Sequence, residues 1–142
     1  MRNLPVYDAP GRLQIDWNFE SKAIVSTWST YSVTLEEFKE AVMHRAVNYA
    51  KARGAIAWIS NASNAQGAFR QEIQTYIGEA LFPRFAEAGF KYFISVLPKN
   101  ALTASAARSF ARKIGPNGIT LIEVPSVEAA IEFLKASRAK AA

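Results

Sequence analysis

Cysteine is absent from this chain, which excludes a disulfide framework, a thiol nucleophile and any thiolate metal site. Histidine occurs once, at His44, and one imidazole without a thiol cannot build the usual zinc centres. Aspartate occurs only at Asp8 and Asp16, ahead of the region that reads as a parallel sheet. A phospho-acceptor aspartate or a magnesium-binding carboxylate at a parallel strand end is therefore missing, which argues against phosphotransfer sites of that kind. Neither G-x-x-x-x-G-K-[ST] nor G-x-G-x-x-G is present, so nucleotide binding has no motif behind it. Apolar runs such as residues 55–59 fall far short of the ~20 residues that span a bilayer. The opening Met1-Arg2-Asn3-Leu4-Pro5 lacks the apolar core of a signal peptide. A cytoplasmic chain with no metal, no cofactor and no membrane span is the expectation.

What is present is the composition of a folded domain. Half of the 142 residues are apolar and a fifth are charged, enough buried surface to offset the entropy of ordering the chain. The net charge is +5, but the basic residues are spread from Arg2 to Lys140 and form no run of four or more. Nucleic-acid binding needs such charge gathered on one face, so a nucleic acid is not the expected partner. No repeat, linker or break in composition divides residues 1–142. The segment 1–11, with Pro5, Pro10 and Gly11, reads as an irregular lead-in, and 137–142 as a tail.

Leu13, Ile15, Trp17 and Phe19 alternate with polar residues, the period of a strand with one wet face. A short turn at Glu20-Ser21-Lys22 leads to a β-branched strand over 23–28, and so short a connection makes an antiparallel hairpin. Thr34-Leu35-Glu36-Glu37 forms a capping box. Behind it Leu35, Phe38, Val42, Ala46 and Tyr49 recur at helical spacing until Gly54. A strand follows at 55–60, then a helix opening near Ser63 in which Pro83 predicts a break. A strand at 91–97, a helix at 102–114, a strand at 119–124 and a helix from Ser126 complete the order β-β-α-β-α-β-α-β-α. Strands alternating with helices predict an α/β fold with one mixed, mostly parallel five-stranded sheet. The first strand of the hairpin should form its antiparallel edge.

Ligands gather at the carboxyl ends of such strands, and here those ends carry hydroxyls, amides and a lysine. Ser63-Asn64-Ala65-Gln66 repeats the capping-box pattern, so Ser63 reads either as a helix cap worth about 1 kcal/mol or as a phosphorylatable switch; Ser60 stays in or near its strand. Lys99, Asn100 and Thr103 near the start of the third helix, with Arg108 and Arg112 sharing one of its faces and Lys113 at its end, could hold an anion, or could be its solvated face. Trp28, Tyr31, Phe82 and Phe85 fall near the rim and are candidates for a partner surface, with core burial as the alternative. His44 lies off the apolar stripe and reads as a surface residue rather than a base.

Three stretches of sequence carry a resemblance. Residues 28–38, WSTYSVTLEEF, precede the first helix; residues 82–89, FPRFAEAG, precede a strand; and residues 124–134, VPSVEAAIEFL, close the chain. With the element order, these resemble the SpoIIAA-like (STAS) fold and its STAS/SEC14-type relatives over about residues 12–136. The resemblance implies a non-enzymatic regulatory or protein-binding module, docking a protein partner or a second copy of itself as a homodimer. STAS-type anti-sigma-factor antagonists are switched by phosphorylation of a serine where the third strand meets the second helix, and Ser63 matches by position. The local sequence there is Ser60-Asn61-Ala62-Ser63-Asn64 rather than an Asp-Ser-Ser-Gly-like stretch. The SEC14 side implies an alternative, a small-ligand, lipid or anion site at the strand ends.

Overall fold

The computed structural model describes residues 3–141. A single six-stranded sheet runs in the order β1-β2-β3-β4-β5-β6, one strand more than the sequence reading gives. The strands are β1 (Asn3–Ala9), β2 (Leu13–Asn18), β3 (Ala23–Trp28), β4 (Ala57–Asn61), β5 (Tyr92–Val96) and β6 (Thr120–Val124). The additional strand is β1, drawn from the segment expected to be irregular. It pairs antiparallel with β2, so β2 is interior rather than the edge. Pro5 within it and Pro10 just after it hid it, yet an edge strand tolerates Pro5 because one side of an edge makes no ladder bonds. The β2–β3 pair is antiparallel as expected, and β3 to β6 are parallel.

Four helices complete the described chain: α1 (residues 35–53), α2 (71–88), α3 (101–111, with a tighter continuation through 117) and α4 (127–141). The α1 cap is half of the expected box: Thr34 Oγ1 accepts from the Glu37 amide at 3.1 Å. The Glu37 carboxylate does not reach back, because Arg12 Nε holds it at 2.7 Å. Gly54 ends α1 at φ 68°, a left-handed conformation that costs other residues more. Pro83 does not break α2. Its missing N–H falls just after a wide, i→i+5 bonded turn at Ile77–Leu81, which keeps the helix continuous. The tail expected at 137–142 is helical as far as Ala141, and residue 142 lies outside the described residues.

Each parallel strand is laid beside the previous one in the same direction. With right-handed crossovers, that order puts α1, α2 and α3 on one face of the sheet. There Phe38, Val42, Ile73, Phe85 and Phe110 pack on Ile24, Trp58 and Phe93. The opposite face is covered by α4, whose Ala130, Ile131 and Leu134 pack on Val25, Ile59 and Ile94. Alternation along each strand feeds both layers: Ile24 faces one and Val25 the other. No helix among the described residues is long and apolar enough to cross a membrane.

Candidate functional site

The carboxyl ends of the parallel strands carry a serine row. Ser26, Ser60 and Ser95 stand in register across β3, β4 and β5, each directly after a β-branched residue that faces α4. Ser26 is fully buried and its hydroxyl is fully used. It accepts from the indole N–H of Trp28 at 3.2 Å and of Trp58 at 3.0 Å, and donates to the Ile59 carbonyl at 3.4 Å. Two lone pairs and one proton meet three partners, so this hydroxyl joins two strands and two aromatic clusters. The sequence reading missed it. The available signal was an apolar residue followed by serine near the end of three successive parallel strands.

The partner-surface expectation is corrected by burial. Trp28, Tyr31, Phe82 and Phe85 are 4, 1, 1 and 1 % exposed, so none offers a free surface. Trp28 and Tyr31 join Phe38, Phe69 and Phe110, with Tyr31 stacked on Phe69 at 4.2 Å between ring centroids. Phe82 and Phe85 join Trp58, Phe90 and Phe93, with Phe85 stacked on Trp58 at 4.9 Å. Ala62, Ala65 and Phe69 of the loop 62–70 and Ile73 and Ile77 of α2 pack into the same buried cluster. Between the two clusters lies a cavity of about 20 Å³, lined by Trp28, Phe38, Trp58, Ser60, Phe69 and Phe85 among others. That is room for about one water, not for the lipid chain that the SEC14 side of the resemblance implies.

The Tyr31 hydroxyl finds no hydrogen-bond partner among the described residues, and its burial pushes the phenol well above the usual tyrosine range. A folded-state pKa raised above the unfolded one means that the folded protein holds this proton more tightly. The associated stability is intact below about pH 10, the unfolded value, and is lost as pH rises from there toward the folded pKa. We expect alkaline titration monitored by thermal unfolding to cost the wild type about 1.4 kcal/mol per pH unit more than Tyr31→Phe. At neutral pH the same variant should be at least as stable as wild type, gaining up to about 1 kcal/mol by removing an unpaired buried hydroxyl. Parallel pH curves for the two proteins would refute this account.

The anion candidates are not brought together. Asn100 caps α3, its Oδ1 accepting from the Thr103 amide at 3.1 Å. Thr103 is fully buried with an unpartnered hydroxyl, and Lys99 is exposed. Arg108 points to the sheet edge, where its Nε lies 3.2 Å from Glu123. His44 is exposed on α1. No group of three or more His, Cys, Asp or Glu side chains among the described residues could hold a metal ion.

Ser63 does not cap a helix, because α2 begins at Gln71. Its amide and hydroxyl both donate to Asn61 Oδ1, at 3.2 and 2.8 Å, folding the chain back at the end of β4. Beside it the N-terminus of α4 is capped by Ser126, whose Oγ accepts from the Ala129 amide at 3.1 Å. Together Asn61, Ser63, Val96, Pro125, Ser126 and Glu128 line an open groove of about 320 Å³. The groove is polar with apolar shoulders, and it carries one carboxylate. It can accept hydrogen bonds and a small apolar side chain, but Glu128 in the first turn of α4 already occupies the positive end of that helix dipole. In comparisons with known proteins, no family model, curated protein or solved structure matches this chain.

Proposed function

We propose that this chain is a non-enzymatic docking module of STAS type, whose protein partner engages the groove lined by Ser63. The observation that carries the reading is the Ser63 hydroxyl, held at 2.8 Å from an amide oxygen of Asn61 in an open groove. A hydroxyl bonded to an amide oxygen has no base to activate it for nucleophilic attack, but Ser63 is half-buried on the wall of an open groove, where it can be modified. A phosphate on this oxygen would break the Asn61 bond and bring about two negative charges into the groove that holds Glu128. Like charges in one groove repel, so modification would act as an off-switch for docking. The resemblance of residues 28–38, 82–89 and 124–134 to STAS domains supports the same class.

The test compares Ser63→Glu and Ser63→Ala for partner retention, alongside thermal shifts with nucleotides, inorganic phosphate and lipids. Docking under Ser63 control is expected to give a protein retained at constant stoichiometry by wild type and Ser63→Ala, and lost from Ser63→Glu by about tenfold in affinity. The small molecules should leave the melting temperature unchanged. Retention that is indifferent to Ser63→Glu would sink the reading. A saturable thermal shift with one of the small molecules would replace it with the ligand-binding alternative, for which a groove of this volume is large enough.

A further inference from the structure

The two borders of the sheet are finished differently. At β1, Pro5 removes an amide donor, and the register slips between Pro5 and Tyr7, leaving Val6 as a bulge. The Val6 carbonyl accepts from Arg45 Nη2 at 3.4 Å, and the same guanidinium lies 5.6 Å from the Tyr7 ring centroid. Proline, bulge and capping side chain are the devices that prevent strand addition. At β6 none of them is present: Thr120-Leu121-Ile122-Glu123-Val124 pairs with β5 without a register slip and contains no proline or lysine. Leu121, Ile122 and Val124 are only partly buried.

We infer that β6 is the border at which a second copy of this chain adds, antiparallel, about a two-fold axis through Ile122. The free backbone groups set the register. The Thr120 amide donates to the Lys91 carbonyl at 3.0 Å, so by strand alternation Ile122 and Val124 also turn their backbone groups inward to β5. Leu121 and Glu123 turn theirs outward. Pairing Leu121 with Glu123 of the second copy, and the reverse, satisfies all four outward groups on each chain. It sets Ile122 opposite Ile122 as a close, non-hydrogen-bonded pair, and Thr120 opposite Val124.

The side chains agree with that register. Arg108, Arg112, Leu121 and Glu123 line a groove of about 360 Å³ along this border. Arg108 pairs with Glu123 of its own chain, whereas Arg112 makes no ion pair among the described residues and only donates to the Arg108 carbonyl. As a crossover between parallel strands, α3 runs opposite to β6. One helical turn, about 5.4 Å, therefore brings Arg112 down by about two strand residues, to the level of Leu121. Glu123 of the second copy sits opposite Leu121. Each Arg112 thus meets the carboxylate of the other copy, and the two-fold axis makes the pair twice.

This border is separate from the groove at Ser63, and the two readings fail independently. The first measurement is the mass of wild-type protein by light scattering across a wide concentration range, where twice the 15.6 kDa chain mass is expected on concentration. Arg112→Glu should raise the dimer dissociation constant about tenfold or more by replacing two cross-axis attractions with repulsions. Since the chain has no cysteine, Ile122→Cys introduces a unique thiol. Its Cα should lie about 4.5 Å from its two-fold mate, inside the disulfide range of about 4.4–6.8 Å. Mild oxidation should therefore cross-link Ile122→Cys nearly completely and leave Thr120→Cys, offset along the strand, uncrosslinked. A wild type that stays monomeric at every concentration overturns the inference, as would one that instead takes up only a foreign extended peptide. So does a dimer that ignores Arg112→Glu, one that cross-links equally through both cysteines, or one that dissociates with Ser63→Glu.

Discussion

Ser26→Ala lowers the stability of this protein by about 2–5 kcal/mol, a large share of the roughly 5–15 kcal/mol that holds a domain folded. The substitution removes one oxygen, but that oxygen is the acceptor for both the Trp28 and Trp58 indoles. Each indole N–H is then buried without a partner, at about 1–3 kcal/mol apiece. Leucine-sized core packing is untouched, so a purely hydrophobic account of the core would expect almost no change. Urea unfolding should show a lower midpoint with the slope unchanged. Ser26→Cys should fall between the two, since sulfur is a weak acceptor. A loss under about 1 kcal/mol would mean that the hydroxyl is not the common anchor of the two rings.

Phe85→Ala is expected to cost about 3–5 kcal/mol, the second large effect. The ring stacks on Trp58 at 4.9 Å and lies 4.9 Å from Phe90 and 5.7 Å from Phe82, so its removal opens space that the sheet beneath cannot fill. The value separates two roles. A partner-surface aromatic could be truncated with little change in melting temperature and a large change in docking. Phe85 should do the opposite in proportion: a drop in melting temperature accompanied by intact docking at temperatures where the variant remains folded. Unchanged thermal stability would return this ring to the surface.

These two residues also show what the sequence discloses. The hairpin, the parallel strands and the stripe of α1 are legible because each is written in local periodicity: Leu13-Ile15-Trp17 at period two, Phe38-Val42-Ala46 at helical spacing. The strand β1 is not legible, since Pro5 and the bulge at Val6 interrupt the alternation that would reveal it. The Ser63-Asn64-Ala65-Gln66 pattern suggests a helix start, but a nonlocal contact decides otherwise. Gln66 lies beside Thr30, its carbonyl accepts from the Tyr31 amide at 2.9 Å, and Gly67 at φ 77° then delivers Phe69 into the aromatic cluster. Helix α2 has to wait until Gln71. That same detour buries Trp28 and Tyr31, so rim aromatics that look available along the chain are enclosed in space. The Ser63 hydroxyl was nameable from the sequence and its Asn61 partner lies only two residues back, but its groove with Ser126 and Glu128 depends on α4, which arrives about sixty residues later.

The unequal borders of the sheet have a consequence for growth. Strand addition can turn a soluble protein into a fibre only if each new subunit offers a fresh end. Here Pro5, the Val6 bulge and Arg45 seal one end, so a molecule that has joined through β6 has nothing left to extend. An assembly formed by the inferred β6 pairing would close on itself after a single event, an isologous pair rather than a head-to-tail polymer. Undoing the seal, more than strengthening β6, is the change that would make this protein polymerise.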